Sequence, residues 1–162
     1  MTRSQVIGND GKGVLSDARS SYGAFLSKYV DDTVIKSVAE RISKWTFVPR
    51  DQAEIFYLLK YEIGQQYKPH TDWFPRTPQN DPIFASGGQR IATVISYLSE
   101  VEGGETFFPH LNIQVKPSKG DAILFWNVMT NGTEDPRTLH GSKPVTKGVK
   151  WAMTRWLREF TP

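Results

Sequence analysis

From residue 31 to residue 44 the apolar side chains Val34, Ile35, Val38, Ala39 and Ile42 return at helical spacing, with Asp31 or Asp32 placed to cap the first turn. Phe47-Val48-Pro49 ends this helix. Beyond it the pattern shortens to runs that predict strands over 54–61, 66–72, 90–98, 105–108, 112–116, 121–126, 137–140 and 149–160. Turn residues separate them at Glu102-Gly103-Gly104, Pro117-Ser118-Lys119-Gly120, Asn131-Gly132 and Lys147-Gly148. Many short strands with such punctuation imply a sandwich or barrel, mostly β with one flanking helix. No repeat or linker divides the chain, so residues 1–162 are expected to form one domain. The longest gap, Trp73 to Gln89, carries Pro75, Pro78, Pro82 and the Gly87-Gly88 pair. A loop of that length is either a functional lid or a tolerated surface insertion.

Composition narrows the chemistry. A domain of this size buries roughly 70% of the surface its unfolded chain exposes, enough for a core and a cavity. Aromatic residues reach 12%, which suits a lined pocket and a plain β core equally. The formal charge of +3 is spread along the chain, so nucleic acid is not an expected partner. Cysteine is absent, which excludes disulfides, cysteine nucleophiles and thiolate ligands, so any metal must be held by nitrogen and oxygen. Met1 to Gly13 is polar without an apolar signal core, and no later stretch has the length of a membrane span. The chain reads as soluble, with no membrane partner expected.

His70 and Asp72 stand one residue apart in a predicted strand, where the two-residue period gives both side chains the same face. Such a triplet alone arises often by chance. The other histidines are His110, in a Pro-His-Leu turn, and His140, which follows another predicted strand. Two histidines and one carboxylate on one side of an iron leave adjacent positions open for a bidentate ligand and dioxygen. On the last strand Lys150, Ala152, Thr154, Trp156 and Arg158 share one face, while Trp151, Met153, Arg155 and Leu157 share the other. Lys150 with Thr154 could clamp a carboxylate, or Lys150 could be a surface lysine at a strand start.

At this point the sequence resembles the catalytic domain of prolyl 4-hydroxylases. The run Tyr61-Glu62-Ile63-Gly64-Gln65-Gln66-Tyr67-Lys68-Pro69-His70-Thr71-Asp72 looks like the family's first metal motif. It is followed in order by Gly88-Gln89-Arg90 leading to Thr93 and Tyr97-Leu98, and by Gly103-Gly104-Glu105-Thr106-Phe107-Phe108-Pro109. Lys116-Pro117, Gly120-Asp121-Ala122, His140-Gly141 and Lys150-Trp151-Ala152-Met153-Thr154-Arg155-Trp156 complete the series. The match runs from the fifties to the carboxyl end and is weak before Arg19-Ser20-Ser21. Relatives carry an additional strand and helix ahead of the segment corresponding to Val6, so the amino-terminal element is expected to be shortened.

The resemblance implies a double-stranded β-helix core of jelly-roll, cupin-like form. It implies that His70, Asp72 and His140 hold iron(II). Lys150 would face the distal carboxylate of 2-oxoglutarate, with Tyr61, Thr106 and Thr154 beside it, and Arg90 and Trp156 would face a peptide substrate. Each has an alternative: Tyr61 and Trp156 as core aromatics, Arg90 as a strand-edge charge, Thr106 as an ordinary β-former. The implied reaction hydroxylates C4 of a peptidyl proline, consuming 2-oxoglutarate and O2 and releasing succinate and CO2, with ascorbate as reductant. Two rivals stand beside it: a dioxygenase of the same superfamily acting on a free amino acid or another side chain, and a jelly-roll binding domain without activity. Neither the peptide motif nor the oligomeric state follows from the sequence.

Overall fold

The computed structural model describes residues 1–7 and 13–162; part of the polar amino-terminal stretch, residues 8–12, lies outside the described residues. Asp32 is the helix cap: its carboxylate accepts from the amides of Val34 and Ile35 at 2.9 and 3.1 Å. Helix α1 is therefore Thr33–Thr46, starting where the expected cap placed it and running two residues past Lys44. It ends because Phe47 turns left-handed at φ 58°, which throws its ring into solvent.

In chain order the strands are β1 (Thr2–Arg3), β2 (Val6–Ile7), β3 (Gly13–Val14), β4 (Tyr22–Phe25), β5 (Tyr57–Tyr61), β6 (Tyr67–His70) and β7 (Arg90–Tyr97). They continue as β8 (Glu102–Gly103), β9 (Thr106–Phe108), β10 (Ile113–Val115), β11 (Ala122–Trp126), β12 (His140–Ser142), β13 (Val145–Lys147) and β14 (Lys150–Arg158). A six-stranded sheet has the order β1-β4-β5-β14-β7-β11, and a four-stranded sheet has the order β10-β9-β12-β6. Both sheets are antiparallel throughout. The mostly β architecture is the expected double-stranded β-helix, or jelly roll.

The two-residue period of β14 divides the protein. Met153 and Leu157 point outward and join Ala39 and Ile42 of α1, with Phe56, Ala92 and Val94, in one apolar cluster. Ala152 and Trp156 point inward with Tyr57, Leu59, Tyr61 and Tyr97. The helix covers the outer face of the large sheet, so the inner face is free to line a cavity.

Several expected boundaries are corrected. The strand expected over 137–140 is a 3-10 turn, Pro136–Thr138, because the Asp135 carboxylate caps the Arg137 amide and Pro136 opens the turn; the strand runs over His140–Ser142 instead. The strand expected to reach Asp72 stops at His70, leaving Asp72 in the bend that follows. Residues 73–89 are not structureless: they contain a 3-10 turn and the short helix α2 (Asp81–Ala85). Gln89 closes this segment at its base, accepting from the Phe74 amide and donating to the Phe74 carbonyl, both at 2.8 Å. Arg158 donates to the carbonyls of Ile83 and Ser86 at 2.7 Å, which ties α2 to β14. Among the described residues no helix is long and apolar enough to cross a membrane.

Leu157, 1% exposed between helix and sheet, should be costlier to truncate than the helix cap. Leu157→Ala is expected to cost about 2–5 kcal/mol and Asp32→Ala about 1 kcal/mol, read by urea unfolding; equal losses would contradict the division of the core described above.

Candidate active site

A cavity of about 1240 Å³ opens between the two sheets. The small sheet contributes His70 from β6 and His140 from β12, which pair directly across the ladder, and Asp72 reaches the same point from the bend after β6. His70 Nε2 lies 3.6 Å from Asp72 Oδ1 and His140 Nε2 lies 3.7 Å from Asp72 Oδ2. Each imidazole turns its other nitrogen to the backbone, His70 Nδ1 to the Lys68 carbonyl at 3.0 Å and His140 Nδ1 to the Thr138 carbonyl at 2.9 Å. A carbonyl only accepts, so both Nδ1 atoms carry a proton and both Nε2 atoms face the carboxylate. Burial, with His140 beside it, pushes the His70 pKa down and keeps that ring neutral. Burial pushes Asp72 up, yet the two imidazoles, Arg90 and the Thr93 hydroxyl outweigh it and hold the carboxyl below its usual range. Two imidazoles and one carboxylate, with ligand atoms all within 4.8 Å of one another, can hold a divalent cation.

Aromatic rings enclose this cluster. Tyr67 stacks on His70 with ring centres 3.5 Å apart, and Phe125 and Phe108 flank His140 at 4.7 and 5.7 Å. Gly141 lets β12 sit between its neighbours, since a Cβ there would lie 2.7 Å from the Tyr67 carbonyl and 2.8 Å from the Phe107 ring. His110 is exposed in a turn away from the cavity lining.

Lys150 opens β14 opposite Tyr61 and is 2% exposed. Its Nζ donates to the Gly104 carbonyl at 2.7 Å and the Ser142 hydroxyl at 2.9 Å, and it forms no ion pair among the described residues. Burial lowers its pKa to about 7, with Glu105 opposing weakly. A buried cation without a bonded carboxylate fits an anionic ligand arriving from the cavity. Tyr61, Thr106 and Thr154 are buried in the same lining. Burial pushes the Tyr97 phenol up to about 12, and it donates to Thr106 Oγ1 at 2.8 Å, so the Thr106 proton is left for another acceptor.

Arg90 and Trp156 also line the cavity. Arg90 is clamped by Glu54 through two hydrogen bonds of 2.6 and 2.8 Å, and its guanidinium lies 3.9 Å from the Trp156 ring centre. The residues that sequence reasoning left without a role are Arg19, Tyr67, Thr93, Asn127 and Ser142. Arg19, buried over the Tyr67 ring at 4.5 Å, lines the cavity from a segment with no strand periodicity to flag it. Tyr67, by contrast, stood within the quoted metal motif.

Residues 56–158 match the 2OG-Fe(II) oxygenase superfamily. The chain belongs to that superfamily. The superfamily supplies the identity of the expected metal and cosubstrate, iron(II) and 2-oxoglutarate, and the donor set and buried lysine fit both. Probable prolyl 4-hydroxylase 7 of Arabidopsis thaliana is 42% identical over 97% of this chain and 54% of its own length. Prolyl 4-hydroxylase 1 of the same plant is 42% identical over 92% of this chain and 56% of its own length. The chain thus spans about half the length of these curated relatives. The crystal structure of a viral collagen prolyl hydroxylase from Paramecium Bursaria Chlorella virus-1, a 2OG complex, superimposes with a TM-score of 0.67. It is 29% identical, with 86% of this chain and 79% of that one covered.

The lysine gives a pH dependence with a definite sign. Its cationic form attracts a carboxylate, and that form is lost as pH rises through about 7. The half-saturating concentration of 2-oxoglutarate should therefore climb above that pH, approaching roughly tenfold per unit. Lys150→Met should bind 2-oxoglutarate weakly at every pH and lose the slope; a flat profile in the unaltered protein would contradict the assignment.

Proposed function

We propose that residues 1–162 form a single catalytic domain that hydroxylates C4 of a proline within a peptide or protein, using iron(II), 2-oxoglutarate and O2, with ascorbate keeping the iron reduced. The observation that carries this reading is one cavity holding two imidazoles, a carboxylate and a buried lysine without a bonded carboxylate among the described residues. A binding jelly roll without activity has no use for a desolvated cation beside a metal-ligand set. The choice of proline over another target rests on the relatives, which are named prolyl 4-hydroxylases, and on the structure of the viral collagen prolyl hydroxylase.

In this reading His70, Asp72 and His140 hold iron from the small sheet. Lys150 takes the distal carboxylate of 2-oxoglutarate from the large one, with hydroxyls of Tyr61, Thr106 and Thr154 around it. When bound, the two supply the oxidation: one atom of O2 enters succinate as CO2 leaves, and the other is inserted into the C–H bond of proline. The protein fixes their geometry and excludes competing reactions. The backbone carbonyls of Lys68 and Thr138 set the imidazole tautomers, and Phe108, Phe125 and Tyr67 exclude water around the rings. Trp156, pinned by Arg90, forms a rigid wall against which a peptide can lie.

Incubation of the protein with iron, ascorbate, 2-oxoglutarate and proline-rich peptides of differing repeat is the direct test. One peptide class should gain the mass of one oxygen atom at proline, with succinate formed alongside; succinate formation that no proline peptide stimulates would favour a dioxygenase with another target. His70→Ala, Asp72→Ala and His140→Ala should each lose bound iron and most turnover, whereas His110→Ala should keep both. Trp156→Ala should weaken peptide hydroxylation while leaving 2-oxoglutarate affinity near that of the unaltered protein. A general loss of folding in thermal melts, with peptide half-saturation unchanged in the folded fraction, would make Trp156 a core residue only.

A further inference from the structure

Asp72 is held from behind by two buried side chains. Thr93, on β7 and fully buried, donates its hydroxyl to Asp72 Oδ2 at 2.8 Å. Asn127, fully buried just beyond β11, donates from Nδ2 to the Thr93 oxygen at 2.9 Å. The Asn127 backbone is fixed as well, its amide donating to the Ile91 carbonyl at 2.8 Å and its carbonyl accepting from the Asp135 amide at 2.9 Å. Among the described residues its side-chain oxygen Oδ1 is buried without a hydrogen-bond partner.

The Asn127 amide fixes the polarity of the chain. A threonine hydroxyl has one proton. If the Asn127 amide were turned over, Oδ1 would claim that proton. Thr93 would then meet the Asp72 carboxylate at 2.8 Å with a lone pair instead of a donor. Only the orientation in which the amide donates lets the hydroxyl donate onward to the carboxylate. That orientation leaves an acceptor unsatisfied in the interior, at a cost of roughly 1–3 kcal/mol. The contribution of Asn127 lies in what it imposes on Thr93.

We infer that Asn127 is a positioning residue that acts through Thr93 to orient Asp72, so that the carboxylate presents Oδ1 toward the metal while Oδ2 is held by the hydroxyl. The inference rests on the metal-site reading above. Outer-shell partners of this kind change metal affinity about tenfold to a hundredfold. Among the described residues Asn127 makes no hydrogen bond to either histidine ligand, and the Asn127–Thr93–Asp72 chain approaches the carboxylate from the large sheet, whereas the imidazoles are oriented by the carbonyls of Lys68 and Thr138.

Cobalt(II) binding tests it without any turnover, reading both the dissociation constant and the visible absorption of the bound ion in the full chain. Asn127→Leu removes both ends of the amide at similar volume, Thr93→Val removes the hydroxyl, and Asn127→Ala guards against misfolding of the leucine variant. Asn127→Leu and Asn127→Ala should each weaken cobalt binding about tenfold and shift the absorption, with little or no fall in the melting temperature of the metal-free protein. The Asn127→Leu, Thr93→Val double variant should bind no more weakly than Thr93→Val alone. Cobalt affinity and absorption like those of the unaltered protein in both Asn127 variants, or additive losses in the double variant, would overturn the inference. His70→Ala separates the two levels: if it loses cobalt while the Asn127 variants do not, only this inference fails. If neither loses cobalt, the metal-site reading fails and carries this inference with it.

Discussion

The site depends on one register. β12 pairs with β6 so that His140 stands directly opposite His70, two residues distant in sequence brought to one point of the ladder. A shift of one residue would send either ring to the opposite face of the sheet and dissolve the site. Gly141 keeps the register possible by letting Tyr67 and Phe107 close on either side of β12. Once the rings face each other, the carbonyls of Lys68 and Thr138 decide which nitrogens they offer, and Asp72 completes the set with its one negative charge.

The large sheet works by a separate device, a strand with two functions. The outward side chains of β14 anchor α1, and its inward side chains carry Lys150, Thr154 and Trp156 into the cavity. Lys150 is thereby desolvated on the strand that also secures the core. Glu54 joins the two regions, accepting from Arg90 at the cavity wall and from Arg158 at 3.1 Å, which in turn holds α2. The segment between Trp73 and Gln89 is consequently secured at its base and its helix rather than loose along its length.

Much of this was legible in the sequence because it follows short periodicities. The helix, the cores of the strands and both faces of β14 emerge from period alone, and the sparse histidines left few possible metal ligands. Asp72 was placed on the correct side although the strand stops short of it, because the bend after His70 turns its carboxylate back to the rings. What was not legible depends on tertiary contact. β1 and β4 are too short and too weakly patterned to announce themselves, yet they extend the large sheet beyond β5. Arg19 reaches the cavity from an irregular segment. Thr93 and Asn127 are ordinary residues until the fold brings them behind Asp72. The Asp135-Pro136 pair was a turn signal within the sequence, and the strand assigned to 137–140 passed over it.

In the proposed reading the two sheets build one composite site, with a metal at the small sheet and the cosubstrate's distal carboxylate at the large one. Crystals grown with manganese(II) and 2-oxoglutarate, measured by anomalous diffraction, test it most directly. A single strong anomalous peak is expected, bonded to His70 Nε2, Asp72 and His140 Nε2, with 2-oxoglutarate reaching from that ion to Lys150 Nζ. A peak elsewhere, or 2-oxoglutarate bound without contact to Lys150, would contradict it.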